Sequence, residues 1–134
     1  RLSADGLHAA QVALNQLIAI RHPQAKLFAI GQVRWMRFDA NDDLNVGIHA
    51  FPGIPMAVGI RAPVLIPTLQ NKFIQAFLLP EIPTIKEPAT LVLPHGWYGP
   101  NKQLELHIDD TLYIRLTQVV ERGADFERVA FEVK

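Results

Sequence analysis

Apolar and polar residues alternate with a period of two along much of this chain, the signature of strands with one buried face. From Gln103 to Asp109, Leu104, Leu106 and Ile108 share a face, and Leu112, Ile114 and Leu116 do the same after the Asp109-Asp110 turn. A third run closes a meander. In it Glu127, Val129, Phe131 and Val133 have one parity and Phe126, Arg128, Ala130 and Glu132 the other, so Glu127 is expected near a rim. Upstream, two runs with β-suited residues, Leu27 to Phe38 and Leu44 to Phe51, flank Asp39-Ala40-Asn41-Asp42-Asp43, whose side chains favour turns by bonding their own backbone. A hairpin with a polar tip follows. On a regular strand Arg34 and Arg37 point to opposite faces and cannot grip one ligand together, while Val33 and Trp35 share a face. Trp35 is therefore expected as a plug in the core.

Leu7 to Ile18 carries two patterns. Leu7, Ala10, Leu14, Leu17 and Ile18 fall at helical spacing, whereas Asn15-Gln16 reads as a turn between a strand near Leu7 to Val12 and another from Leu17 to Arg21. The strand reading is preferred. Pro52, Gly53, Pro55, Gly59, Pro63 and Pro67 are too many breakers for a central strand and mark a subdomain boundary near Arg61. Beyond it, Lys72 to Leu79 and Thr90 to Leu93 read as short apolar strands separated by a loop with Pro80, Pro83 and Pro88.

Length and composition narrow the function. The 134 residues, 49% hydrophobic and 19% charged, suit one globular domain or a barrel with a small appended unit. Thirteen basic residues balance thirteen acidic ones, so no overall field concentrates DNA, RNA or an anionic membrane, and no nucleic-acid or membrane partner is expected. The absence of cysteine removes thiolate chemistry and fits a reducing, cytoplasmic setting. Arg61 is the only formal charge between Asp43 and Lys72. The charge-poor stretch from Leu44 to Asn71 is read as core, with a surface covered by a protein partner or a second copy as the alternative. The chain opens on Arg1 and reads as a piece of a longer protein.

Chemistry is sparse. Ser3 is the only serine, and the five histidines show neither HxH nor HExxH spacing, so no metal site is expected. Asp39, Asn41 and Asp43 mimic the start of a calcium loop, but Leu44 and Ala50 stand where the glycine and closing glutamate belong. Trp97 and Tyr98, in the turn-rich run His95 to Lys102, are expected to fold back over the core rather than stack a base. No Gly-rich phosphate loop, nucleophile elbow or carboxylate pair stands out, and no enzymatic activity or cofactor is expected.

The order of three features carries a family likeness. Leu2-Ser3-Ala4-Asp5-Gly6-Leu7 resembles the latter part of the D/N-x-S-x-x-G motif of PilZ domains, small β-barrels many of which bind cyclic di-GMP. Gly31-Gln32-Val33-Arg34-Trp35, the polar tip, and Val46-Gly47-Ile48-His49-Ala50-Phe51 then resemble that family's Trp strand and Gly-to-Phe strand. The resemblance covers roughly residues 1 to 60. It implies a mainly β chain: a PilZ-like antiparallel barrel over 1–60 followed by a smaller antiparallel β subdomain over 61–134. It also implies a non-enzymatic bacterial sensor or interaction module with cyclic di-GMP as ligand, held in a degenerate manner through Arg1, Ser3 and Gly6. Ser3 and Gly6 match the family motif, whereas Arg1 stands where the family has Asp or Asn, replacing an acceptor with a cation. The family's RxxxR pair would lie before residue 1. The alternative is a protein-interaction or dimerisation domain with no nucleotide ligand, and a weaker third reading is a translation-factor-like barrel touching RNA.

Overall fold

The computed structural model describes residues 2–3, 13–21, 23–24, 26–63 and 72–134. The described residues form ten strands in two sheets. The first sheet has the order β1-β4-β3-β2, with β1 Leu2–Ser3, β2 Leu17–Ile20, β3 Ala29–Phe38 and β4 Leu44–Ala50. The second closes on itself in the order β10-β7-β6-β5-β8-β9, with β5 Met56–Arg61, β6 Ile74–Leu79, β7 Thr90–Pro94, β8 Gln103–His107, β9 Thr111–Arg122 and β10 Phe126–Val133. All described pairings are antiparallel.

A mainly β chain with a barrel and a second β unit is what the sequence implies, and the described residues form a closed barrel beside a second sheet. The closed sheet is built from β5 to β10, and β1 to β4 make a four-stranded sheet that is open among the described residues. Six strands suffice for the closure of this second sheet, since even a small barrel needs about five strands around a filled interior. The six strands of the second sheet each turn apolar residues inward, and Val58, Ile60, Leu91, Leu93, Leu104, Leu106, Ile114, Leu116 and Val129 fill the barrel. The β8–β9–β10 meander follows the predicted runs.

Met56–Arg61 departs from the expectation drawn from its breakers. It pairs with β6 on one side and β8 on the other, and is a central barrel strand. Pro52, Gly53 and Pro55 precede it and Pro63 follows it, so every one of its own residues keeps its N–H for the ladder. The end of the strand is tied down by an Arg61–Glu105 ion pair.

The open sheet lies against the barrel's outer wall. Ile30 and Phe51, with Leu17 beside them, pack on Leu79, Val92 and Phe126 of the barrel. Its opposite face carries Val33, Leu44 and Val46, all at most 1% exposed. Phe126 to Val129 are all buried because β10 faces the barrel interior on one side and this junction on the other. Glu127 stands at the barrel's end, as its parity predicts, yet it is only 3% exposed: the Tyr98 N–H donates to it at 3.0 Å. That contact belongs to a loop whose two rings fold back on the core, as expected: Trp97 and Tyr98 pack against the barrel cluster. The Tyr98 hydroxyl donates to the Thr117 carbonyl at 3.2 Å. The predicted hairpin tip is also present, with Asp39 Oδ1 accepting the Asn41 and Asp43 N–H groups at 2.8 and 3.1 Å. Asn15 and Gln16 form the predicted turn before β2, Asn15 at φ 64°. The strand expected near Leu7 to Val12 lies outside the described residues.

Candidate functional site

A β-bulge decides which side chains of β3 share a face. Val33 opposes Ile48 and Trp35 opposes Gly47, so Arg34 is an extra residue with no counterpart on β4. Past this point the alternation shifts by one. Gln32, Trp35 and Arg37 stand opposite His49, Gly47 and Asn45, a single row on β4. Arg34 lines the same cleft as Gln32. Both arginines therefore flank Trp35 on one face, correcting the expectation that they diverge.

Trp35 is not a core plug. It is 41% exposed, on the face opposite Val33, with its indole laid directly over Gly47. A Cβ at position 47 would stand 1.9 Å from the indole Nε1, so only glycine leaves room for the ring. The Arg37 guanidinium lies over the indole, 5.7 Å from its centroid, a cation–π arrangement. Arg34 is exposed and has no hydrogen-bond or ion-pair partner among the described residues. A ring flanked by two guanidinium groups offers stacking to a base and bidentate donors to phosphate.

Where the open sheet leaves the barrel wall, a cleft of about 490 Å³ opens between them. One wall is Asn15, Gln32 and Arg34, and the other is Glu121, Arg122, Gly123 and Ala124 at the β9–β10 turn. Short bonds hold the walls together. The Ala124 N–H donates to the Asn15 carbonyl and the Asn15 N–H to the Val33 carbonyl, both at 2.8 Å. Leu17 N–H donates to Asp125 Oδ1, also at 2.8 Å. Glu121 joins the two sheets, its Oε1 lying 3.2 Å from His49 Nε2 on β4 and 3.3 Å from Arg128 Nη1 on β10. Arg128, 4% exposed, also donates to Thr90 Oγ1 at 3.0 Å and covers the Phe51 ring.

Of the residues the motif singled out, Ser3 lies on β1 in register with Asn45, which itself opposes Arg37. Arg1 and Gly6 lie outside the described residues. Ser3 thus enters the sheet one strand away from the Arg37 row, at the opposite edge from β2. Alternation alone dismissed Arg34 and Arg37 and gave no signal for Arg122, which reaches the cleft from nearly ninety positions further along the chain. Among the described residues no group of three or more His, Asp or Glu side chains could hold a metal ion. No described helix is long and apolar enough to cross a membrane.

Comparison with known proteins bears on the barrel. The family described as the FimW C-terminal β-barrel domain matches residues 62–133, which hold β6 to β10. Over 101 residues the chain is 29% identical to the cyclic-di-GMP receptor FimW of Pseudomonas aeruginosa. That match covers 73% of this chain but 16% of the relative, so the chain spans a minor part of that protein's length. No solved structure matches.

Proposed function

The chain belongs to the FimW C-terminal β-barrel domain family, and from that premise we propose that it is a non-enzymatic module of a larger cytoplasmic bacterial protein that binds cyclic di-GMP. The likeness to a cyclic-di-GMP receptor supports the ligand class. One structural observation carries the reading: the bulge at Arg34 assembles Arg34, Trp35 and Arg37 on one open face. Cyclic di-GMP is a dianion with two purines, and it demands stacking surface and cationic bidentate donors together. Trp35 on its Gly47 bed supplies the first, and the flanking guanidinium groups supply the second. In this reading Ser3 of the PilZ-like motif joins the site through the Ser3–Asn45–Arg37 backbone register, with Arg1 and Gly6 as its neighbours in sequence.

Calorimetric titration tests it. Cyclic di-GMP raised to about 100 µM registers binding of roughly −5 to −6 kcal/mol, and the wild-type chain is expected to give a measurable binding isotherm. Trp35→Ala is expected to weaken binding by about 1–3 kcal/mol, the worth of one stacked base. Absence of heat from the wild type rejects the nucleotide role.

A second reading, an interaction module with no nucleotide ligand, draws on a different observation. Within the charge-poor stretch, Ile54 and Met56 are 54% and 45% exposed. A protein partner or a second copy seated there would be displaced by Ile54→Glu. A sedimentation coefficient that stays monomeric at all concentrations counts against the homodimer.

A further inference from the structure

We infer that the barrel supplies part of the ligand site: Arg122, facing Arg34 across the cleft between the sheets, takes a phosphodiester of the cyclic dinucleotide. This rests on the cyclic di-GMP reading and extends it from the open sheet onto the barrel. The cleft's volume of about 490 Å³ falls within the range of about 300–1,000 Å³ usual for small-molecule sites. It adjoins the Trp35 face through Arg34, which belongs to both.

Arg122 is held ready. Its Nε donates to Glu127 Oε2 at 3.1 Å, and Glu127, 4% exposed at its side chain, is fixed in turn by the Tyr98 N–H. The Arg122 side chain itself is 56% exposed, so the guanidinium edge not used by Glu127 stays open to the cleft. A guanidinium anchored through one nitrogen loses less freedom on gripping an oxyanion than a free one.

The carboxylate in the same wall does not oppose this. Glu121 Oε1 is engaged by His49 and by Arg128, which is 4% exposed and whose guanidinium offsets the carboxylate's charge. An anion entering the cleft therefore meets Arg34 from the sheet and Arg122 from the barrel. Bridged in this way, the two sheets are drawn together where Ala124 N–H already bonds the Asn15 carbonyl.

Two barrel substitutions and one exchange measurement test the inference, with cyclic di-GMP itself as probe. Arg122→Ala removes the cation but also strips buried Glu127 of its partner, so Ala124→Glu is the cleaner variant: Ala124 is exposed, and the change adds a carboxylate to the cleft wall without deleting a contact. Each is expected to weaken binding roughly tenfold to a hundredfold, the worth of a charge-assisted hydrogen bond. In the wild type, ligand is expected to slow hydrogen exchange of the Ala124 amide. Wild-type affinity in Ala124→Glu together with unchanged Ala124 exchange overturns the inference. If Trp35→Ala still weakens binding in that case, the open-face reading survives without the barrel's contribution. A wild-type chain that binds no cyclic di-GMP overturns both.

Discussion

Arg34 owes its place beside Trp35 to one residue too many on β3, and the arrangement depends on Gly47 below. Gly47→Ala forces the indole off the sheet, because the new Cβ would overlap the ring. Overpacking a tight site costs about 1–3 kcal/mol, and the lower end is expected here since the half-exposed ring can swing outward. Chemical denaturation of this variant reads the loss of stability, and a red shift of the Trp35 emission in a Trp97→Phe background reads the displaced ring. An unchanged spectrum would mean that the indole does not rest on Gly47. The glycine, the tryptophan and both arginines are visible in the sequence, but their common face is not. Parity counting assumes an unbroken ladder, and the bulge that breaks it has no residue signature in Arg34 or its neighbours.

At the scale of elements, the junction between the sheets depends on short segments as well as on the long strands β3, β9 and β10. β2 has four residues, and its first N–H is satisfied by a side chain from the β9–β10 turn: Asp125 Oδ1 accepts from Leu17. Asp125→Ala is expected to cost about 0.5–1.5 kcal/mol, the net worth of one hydrogen bond, and to speed exchange of the Leu17 amide above that of the inner β3 amides. Equal exchange in wild type and variant would show that this bond does not hold the strand. Strands bounded by turn residues were legible: the Asp39–Asp43 hairpin, the meander from Gln103, and the Asn15-Gln16 turn all follow local chemistry. β5 is hidden in the sequence by the breakers that crowd both of its ends. Its six residues contain Gly59 but no proline, and the prolines sit just outside both ends.

For the whole molecule, the shared cluster of Ile30, Phe51, Leu79, Val92 and Phe126 joins the open sheet to the barrel through one apolar contact. The chain has two tryptophans, Trp35 on the sheet and Trp97 against the barrel core. Trp35→Phe and Trp97→Phe variants therefore report one sheet each. Their denaturation midpoints, compared with the circular-dichroism midpoint of the same variant, are expected to coincide, as two-state unfolding requires. An earlier transition at Trp35 would show that the open sheet detaches before the barrel melts, and would weaken any role for a ligand that bridges them.

The amino-acid pattern by itself settled the strand-forming runs, the turn chemistry and the absence of thiol chemistry, since each depends on residues within a few positions of one another. Tertiary structure alone decided which strands close into the barrel, which way Trp35 faces, and that Arg122 lines the same cleft as Arg34. Those outcomes depend on register and on pairings between segments tens of residues apart. Alternation names the residues that can share a face, whereas only the assembled ladder determines where a register slips and which strand completes the ring.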